Sequence, residues 1–233
     1  MKKFILLCLL APSLLTACSD DDYVYPNVLT EMTDLVTDHT GTAAYLKNDE
    51  GIMWSIQPRA GLDGLTPDSV YRTVTMYAPV NDSESSSLKA ILYNTQSAIS
   101  PIPKAKDTFK EIHTDPVAIQ SIWRSGSYLN LIALAMVKDR THEYHFIDNG
   151  ITHNEDGTKT LHLTLYHDRH NDVEGFSRKV YLSVPLWAYA DVLQEGDEIV
   201  FTLNTYKEGM TSRSFTYPQI RNRPHKMTQR SKR

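Results

Sequence analysis

Alternation of apolar and polar side chains, the mark of a strand with one buried face, recurs along most of this chain. Val28 to Thr37 and Gly41 to Lys47 read as strands, and Asn48-Asp49-Glu50-Gly51 follows as a hairpin turn with glycine where positive φ is needed. Ile52 to Gln57 sets Ile52, Trp54 and Ile56 on one face. Pro58 to Asp68 is rich in turn residues and reads as a loop. Val70 to Ala78 alternates clearly: Val70, Arg72, Val74 and Met76 point one way, Tyr71, Thr73, Thr75 and Tyr77 the other. Pro79 is expected to end that strand, and Leu88 to Asn94 supplies a fifth. Five short strands suit a small barrel.

Ser100 to Asp107 carries two prolines, two lysines and no pattern, and is expected to link two domains. Beyond it, Ile119 to Trp123 leads through Arg124-Ser125-Gly126 into Tyr128 to Val137. That nearly continuous apolar run fits a buried helix or a core strand. Its β-rich neighbours and Gly126 favour the strand. Glu143 to Ile147 and Lys159 to His167 follow, with turns expected at Asn149-Gly150 and Asp156-Gly157. Leu161, Leu163 and Leu165 form one face of the second, His162, Thr164 and Tyr166 the other. Phe176 to Val184 repeats the alternation. Pro185 then suits the first position of a helix, giving one or two helical turns over Leu186 to Leu193. Glu198 to Thr205 and Ser212 to Tyr217 complete about seven strands with regular turns, which argues for an antiparallel sandwich. The fold expected is all-β: an OB-like five-stranded barrel over 28–99, a linker over 100–107 and a β-sandwich over 108–218.

The first residues follow a different rule. Lys2 and Lys3 precede a short apolar run, Phe4 to Leu10, far below the roughly 20 residues that span a bilayer. It suits a secretory signal over 1–17. Leu15-Thr16-Ala17-Cys18 resembles a bacterial lipobox, in which small residues precede a cysteine whose thiolate accepts a diacylglyceryl group. Cys18 is therefore the expected lipidation site. The other cysteine, Cys8, falls within the removed segment, so the mature chain would hold no disulfide. Ser19-Asp20-Asp21-Asp22 opens an acidic tether over 18–27 and resembles the surface-export signal of Bacteroidetes-type lipoproteins. The expected address is the outer membrane, lipid-anchored, on the cell surface, with the periplasmic face as the alternative. Acyl chains gaining about 0.8 kcal/mol per buried CH₂ would hold such a protein firmly.

Charge narrows the partners. With Lys2 and Lys3 removed, 28 acidic side chains face 22 basic ones. Six of those basics (Arg221, Arg223, Lys226, Arg230, Lys232, Arg233) lie in a tail over 219–233 that lacks apolar periodicity. An acidic body disfavours nucleic acid, whose phosphates require Lys and Arg. The expected partners are the membrane, through the lipid, and an extracellular protein or glycan.

Histidines cluster: His142, His145, His153, His162, His167 and His170 fall within a short stretch. Residues three apart on a strand point to opposite faces, so His142/His145 is no ligand pair there. A metal site would have to gather loop residues such as His167 and His170 with Asp168 or Asp172; solvated sheet and turn histidines are the plainer expectation, and no metal or cofactor is assigned. There is no Gly-x-Ser-x-Gly, Walker loop or Gly-x-Gly-x-x-Gly, and no catalytic residue is assigned. Trp54, Trp123 and Trp187 each sit beside apolar residues, which favours core packing over stacking on sugars.

The stretch Trp123-Arg124-Ser125-Gly126-Ser127-Tyr128-Leu129-Asn130-Leu131 resembles the NigD-like proteins of Bacteroidales, supported by His162-Leu-x-Leu165 and by Val180-Tyr-Leu-Ser-Val-Pro185. The resemblance covers roughly residues 28–218. It implies an N-terminal OB-type domain, a C-terminal β-sandwich and a role linked to bacteriocin immunity, with no active site to carry over. The function expected is that of a non-enzymatic lipoprotein acting as a binding module, with glycan binding as the alternative.

Overall fold

The computed structural model describes residues 27–81 and 88–219. Cys18, the acidic residues behind it and the basic residues from Arg221 onward lie outside the described residues.

Strands β1 (Leu29–Thr37), β2 (Ala43–Asn48), β3 (Met53–Ile56), β4 (Val70–Asn81) and β5 (Leu88–Ser97) close a barrel in the order β1-β2-β3-β5-β4. Its interior holds Leu35, Leu46, Trp54, Ile56, Tyr77 and Leu92, with Trp54 and Tyr77 rings 5.3 Å apart. Thr33 also points inward, its hydroxyl 3.0 Å from those of Thr73 and Thr75, so buried polar groups there satisfy one another. Pro79 does not end β4: it stands opposite Ala90, and the strand continues to Asn81. Proline forfeits its own ladder donor, while pairing resumes on either side.

The segment expected to be patternless does structural work at both ends. Ile99 bridges to Leu182, and Ser100 Oγ donates to the Ser183 carbonyl at 2.6 Å. Lys104–Ala105 then forms a two-residue edge strand, β6, followed by a 3₁₀ turn at Lys106–Thr108. The prolines confine pairing to an edge position.

The second domain comprises β7 (Ala118–Ser125), β8 (Tyr128–Val137), β9 (Glu143–His153), β10 (Lys159–Asp168), β11 (Phe176–Pro185), β12 (Glu198–Thr205) and β13 (Gly209–Thr216). A five-stranded sheet, β13-β12-β10-β9-β6, packs on a three-stranded sheet, β11-β8-β7. The larger sheet is mixed: β10 and β12 run parallel, because the chain between them crosses to the other sheet as β11. Leu161, Leu163 and Leu165 of β10 meet Leu129, Leu131, Leu182, Ile199 and Phe201 in one core. Truncating such a buried leucine to alanine costs about 2–5 kcal/mol.

Two sequence expectations give way here. Asn149-Gly150 is not a turn: Leu161 faces Ile151 while Leu163 faces Asp148, so an extra residue bulges from a continuous β9, with Gly150 at φ +95°. The helical turns expected over Leu186 to Leu193 shrink to a 3₁₀ segment at Leu186–Tyr189, and Pro185 is the last residue of β11.

β8 is a strand, and its near-continuous apolarity has a physical cause. Leu129, Leu131, Ala133, Ala135 and Val137 face the sandwich core, while Tyr128 and Asn130 on the reverse face are buried under the barrel. Burial on both faces removes the alternation.

Candidate functional site

A buried cation of the barrel reaches into the sandwich. Arg72 lies on the outward face of β4, yet its side chain is only 1% exposed. Its Nε donates to Ser183 Oγ at 3.0 Å, and its terminal nitrogens donate to Asp34 at 3.1 Å, Asp49 at 2.9 Å and Asn130 at 3.1 Å. The guanidinium also stacks over the Tyr128 ring. Burial pushes the Asp34 carboxyl up, against the pull of Arg72. The Asp49 backbone lies against Gly126, where an added Cβ would come within 2.5 Å of the Asp49 carbonyl oxygen. Gly126, Tyr128 and Asn130 of the Trp-x-Ser-Gly-x-Tyr-Leu-Asn-Leu stretch therefore form the joint between domains.

A candidate ligand surface lies on the outer face of β9 and β10, beside β6. An open cavity of about 280 Å³ is lined by Lys104, Phe109, Lys110, Glu111, Glu143, His145 and Tyr166. Tyr166 and His145 stand opposite each other on β10 and β9, both pointing outward by strand parity. Phe109, delivered by the segment after the 3₁₀ turn, stacks on Tyr166 with centroids 5.1 Å apart and planes at 27°. His145 Nε2 lies 2.8 Å from Glu143 Oε1, and the His113 ring meets Tyr166 edge-on at 6.0 Å. Partial burial pushes the Tyr166 hydroxyl up, and Asp168, Glu143, Glu111 and Asp115 add to the shift. The result is an aromatic floor with two lysines and two glutamates at its margin.

Behind this floor is a buried polar chain. His167, one residue past Tyr166, points inward, and its Nδ1 lies 2.9 Å from the Asp115 carbonyl oxygen. Its Nε2 lies 2.9 Å from His142 Nδ1, and His142 Nε2 lies 3.2 Å from Asp172 Oδ2. Tyr144 stacks on the His167 ring at 4.5 Å. Burial pushes the Asp172 carboxyl up, but backbone N–H groups of Lys138, Asp139 and Arg140 and the His142 ring outweigh it and hold the group well below the carboxylate range. Burial likewise pushes His167 down.

The metal set that spacing suggested is not assembled: His167 and Asp172 are committed to this chain, and His170, at φ +51°, pairs with Asp168 at 3.0 Å. His113, Asp115 and Asp168 do bring one donor atom each within 4.8 Å of the others. Arg169 already lies 3.3 Å from Asp115, however, and an ion would have to displace these ion pairs. His162 bonds to Thr152 at 3.0 Å on the sheet surface, and His153 is exposed at the end of β9. Trp54 is core; Trp123 and Trp187 are half-buried. Sequence reasoning missed Phe109 and Arg72. Phe109 stands beside no alternating partner, and Arg72 reads as a solvated strand residue; nothing local marks either.

A closed five-stranded barrel joined by a buried arginine to a two-sheet sandwich defines a two-domain β protein of OB-plus-sandwich architecture. Residues 32–98 match the family described as the NigD-like N-terminal OB domain, and residues 99–217 match the NigD-like C-terminal beta sandwich domain. The chain belongs to the NigD-like family. It is similar to the crystal structure of a NigD-like immunity protein from Bacteroides caccae, at 29% identity and a TM-score of 0.66, covering 83% of this chain and 94% of that one. A Bacteroides vulgatus protein of unknown function shares the fold at 20% identity and a TM-score of 0.63, covering 82% and 91%. A provisionally assigned Bacteroides fragilis lipoprotein shares it at 13% identity and a TM-score of 0.55, covering 82% and 99%. No curated protein matches the chain.

Proposed function

We propose that this protein is a lipid-anchored binding module of the cell envelope that captures a bacteriocin-type protein and so protects the cell. The observation that carries the reading is the open cavity over the Phe109–Tyr166 stack, bracketed by Lys104, Lys110, Glu111 and Glu143. A stacked aromatic pair offers contact area at low entropic cost, and charges of both signs at its rim select orientation, as in a protein-binding surface. The similarity to the Bacteroides caccae immunity protein over nearly its whole length supports the same role. Export would begin at the signal over 1–17, the lipid would sit on Cys18, and Ser19-Asp20-Asp21-Asp22 would direct the protein to the surface. The activity is binding without catalysis.

Deleting the gene and challenging cells with a panel of bacteriocins from related strains tests the reading. Sensitivity to at least one should rise, return to normal with the wild-type gene, and stay high with Cys18→Ser. Unchanged sensitivity across the panel would overturn it.

A further inference from the structure

We infer that His142 and His167 share a single buried proton, and that its gain or loss switches the packing of the loops behind the cavity. The inference follows from donor and acceptor accounting along the chain from Asp115 to Asp172. A carbonyl oxygen only accepts, so His167 Nδ1, 2.9 Å from the Asp115 carbonyl, must carry a hydrogen. An ionised carboxylate also only accepts, so His142 Nε2, 3.2 Å from Asp172, must carry one as well. That leaves His167 Nε2 and His142 Nδ1 facing each other at 2.9 Å. If both rings were neutral, two lone pairs would meet there. If both were fully protonated, two N–H groups would collide. One additional proton between them satisfies every atom.

The pair then carries one positive charge, which neutralises the buried Asp172 carboxylate; the His142 and Asp172 side chains are 3% and 2% exposed. Burial pulls His167 down, the hydrogen bond to the Asp115 carbonyl opposes this, and the neighbouring His142 ring adds to it. The other groups facing the pair change the count little. Tyr144, stacked on His167, has its hydroxyl pushed up by burial, with Tyr206 adding to this and Arg178 opposing it; that hydroxyl lies 3.5 Å from His142 Nδ1, a longer contact than the 2.9 Å to His167 Nε2. The Asp115 and Asp168 carboxylates favour a charged His167 and oppose the burial effect.

The sign of the pH dependence follows. Removing the shared proton leaves two ring lone pairs facing each other at 2.9 Å and the Asp172 carboxylate without its counter-charge, so the stability the proton gives is lost as pH rises and it leaves. The pair accepts a second proton less readily, so stability is also lost as pH falls below the ordinary histidine range, about 6.5. His142 and His167 flank the outward-facing Glu143, Tyr166 and Asp168, and Asp172 holds the backbone of Lys138 and Asp139 at 2.7 and 3.1 Å. Breaking the chain frees both loops at this end of the sandwich. The shared proton is independent of what the cavity binds; only its effect on capture rests on the function proposed above.

The purified protein, labelled with ¹⁵N in its histidines, tests this by ring nitrogen–proton spectra at pH 7. Three ring protons should be found on the pair, one of them between Nε2 and Nδ1 and far downfield. Two neutral rings, or two rings titrating independently like exposed histidines, would overturn the inference. Hydrogen exchange corrected for its intrinsic pH dependence should show protection over 138–141 and 169–173 falling about tenfold as the proton is lost. Protection unchanged between pH 7 and 9 would overturn the switch. In a companion pair of variants, His142→Gln should flatten the pH profile of the unfolding midpoint while the surface substitution His162→Gln leaves it intact. Should His142→Gln fail to fold, the wild-type spectra still decide.

Discussion

The guanidinium carbon of Arg72, in the barrel, stands 3.7 Å above the centre of the Tyr128 ring, in the sandwich. Around that contact Asp34, Asp49, Asn130 and Ser183 take up the remaining donors of Arg72, and Ser183 Oγ donates to Asn130 Oδ1 at 2.7 Å. A planar fork that can stack on one face and donate along its edge is what arginine supplies and lysine does not. The two domains are held by this geometry more than by charge alone.

Arg72→Met should destabilise the protein by about 3–5 kcal/mol, because it leaves Asp34 and Asp49 as buried acids without their cation. Arg72→Lys should recover only part of the loss, since the ammonium cannot reach all four partners. Urea unfolding of the three proteins measures this. A loss under about 1 kcal/mol for Arg72→Met would show that the joint is held by packing elsewhere.

Gly126→Ala should be costly although it adds one methyl group. The residue sits at φ +51°, and its Cβ would lie 2.5 Å from the Asp49 carbonyl oxygen. Strain of that kind costs about 1–3 kcal/mol, and relieving the clash requires the hairpin at Asn48–Gly51 to retreat from β8. Faster limited proteolysis within 98–107, together with a lower unfolding midpoint, is the expected result. Wild-type behaviour in both would mean the hairpin is free to move.

Acid should expose the role of Asp172. Its carboxyl is held well below the ordinary carboxylate range in the folded protein, so the stability it contributes is present above about pH 4 and lost as pH falls below. Asp172→Asn should lower stability at neutral pH and flatten the profile on the acid side. An acid limb identical to that of the wild type would assign acid sensitivity to other carboxylates.

At the cavity, Phe109→Ala should separate binding from folding. The ring is half-exposed, so its stability cost should stay within about 1.5 kcal/mol, the scale of a stacked aromatic pair. Loss of a central aromatic anchor typically costs about 2 kcal/mol or more in affinity. Cells carrying this variant should therefore lose protection at bacteriocin doses the wild type survives, at equal protein levels. Full protection would move the binding surface away from the outer face of β9 and β10.

The strands themselves could be read from the sequence because each exposes one face. Leu161, Leu163 and Leu165 alternate with His162, Thr164 and Tyr166, and a single buried face writes that period into the chain. The inward histidines obey the same parity, which is why His142 and His145 had to part. That the fold is all-β, a small barrel and then a sandwich, was legible from strand spacing. What could not be read is anything made by an outward face that a second body covers. Arg72 and Asn130 occupy positions whose polarity suits water, and only docking of the barrel on β8 buries them. The polar chain around His142 and His167 is likewise invisible locally, since Asp115, His142, His167 and Asp172 come from segments brought together by the sheet and its loops. Short-range alternation records which face is dry. Which polar groups then meet inside is decided by long-range contact alone.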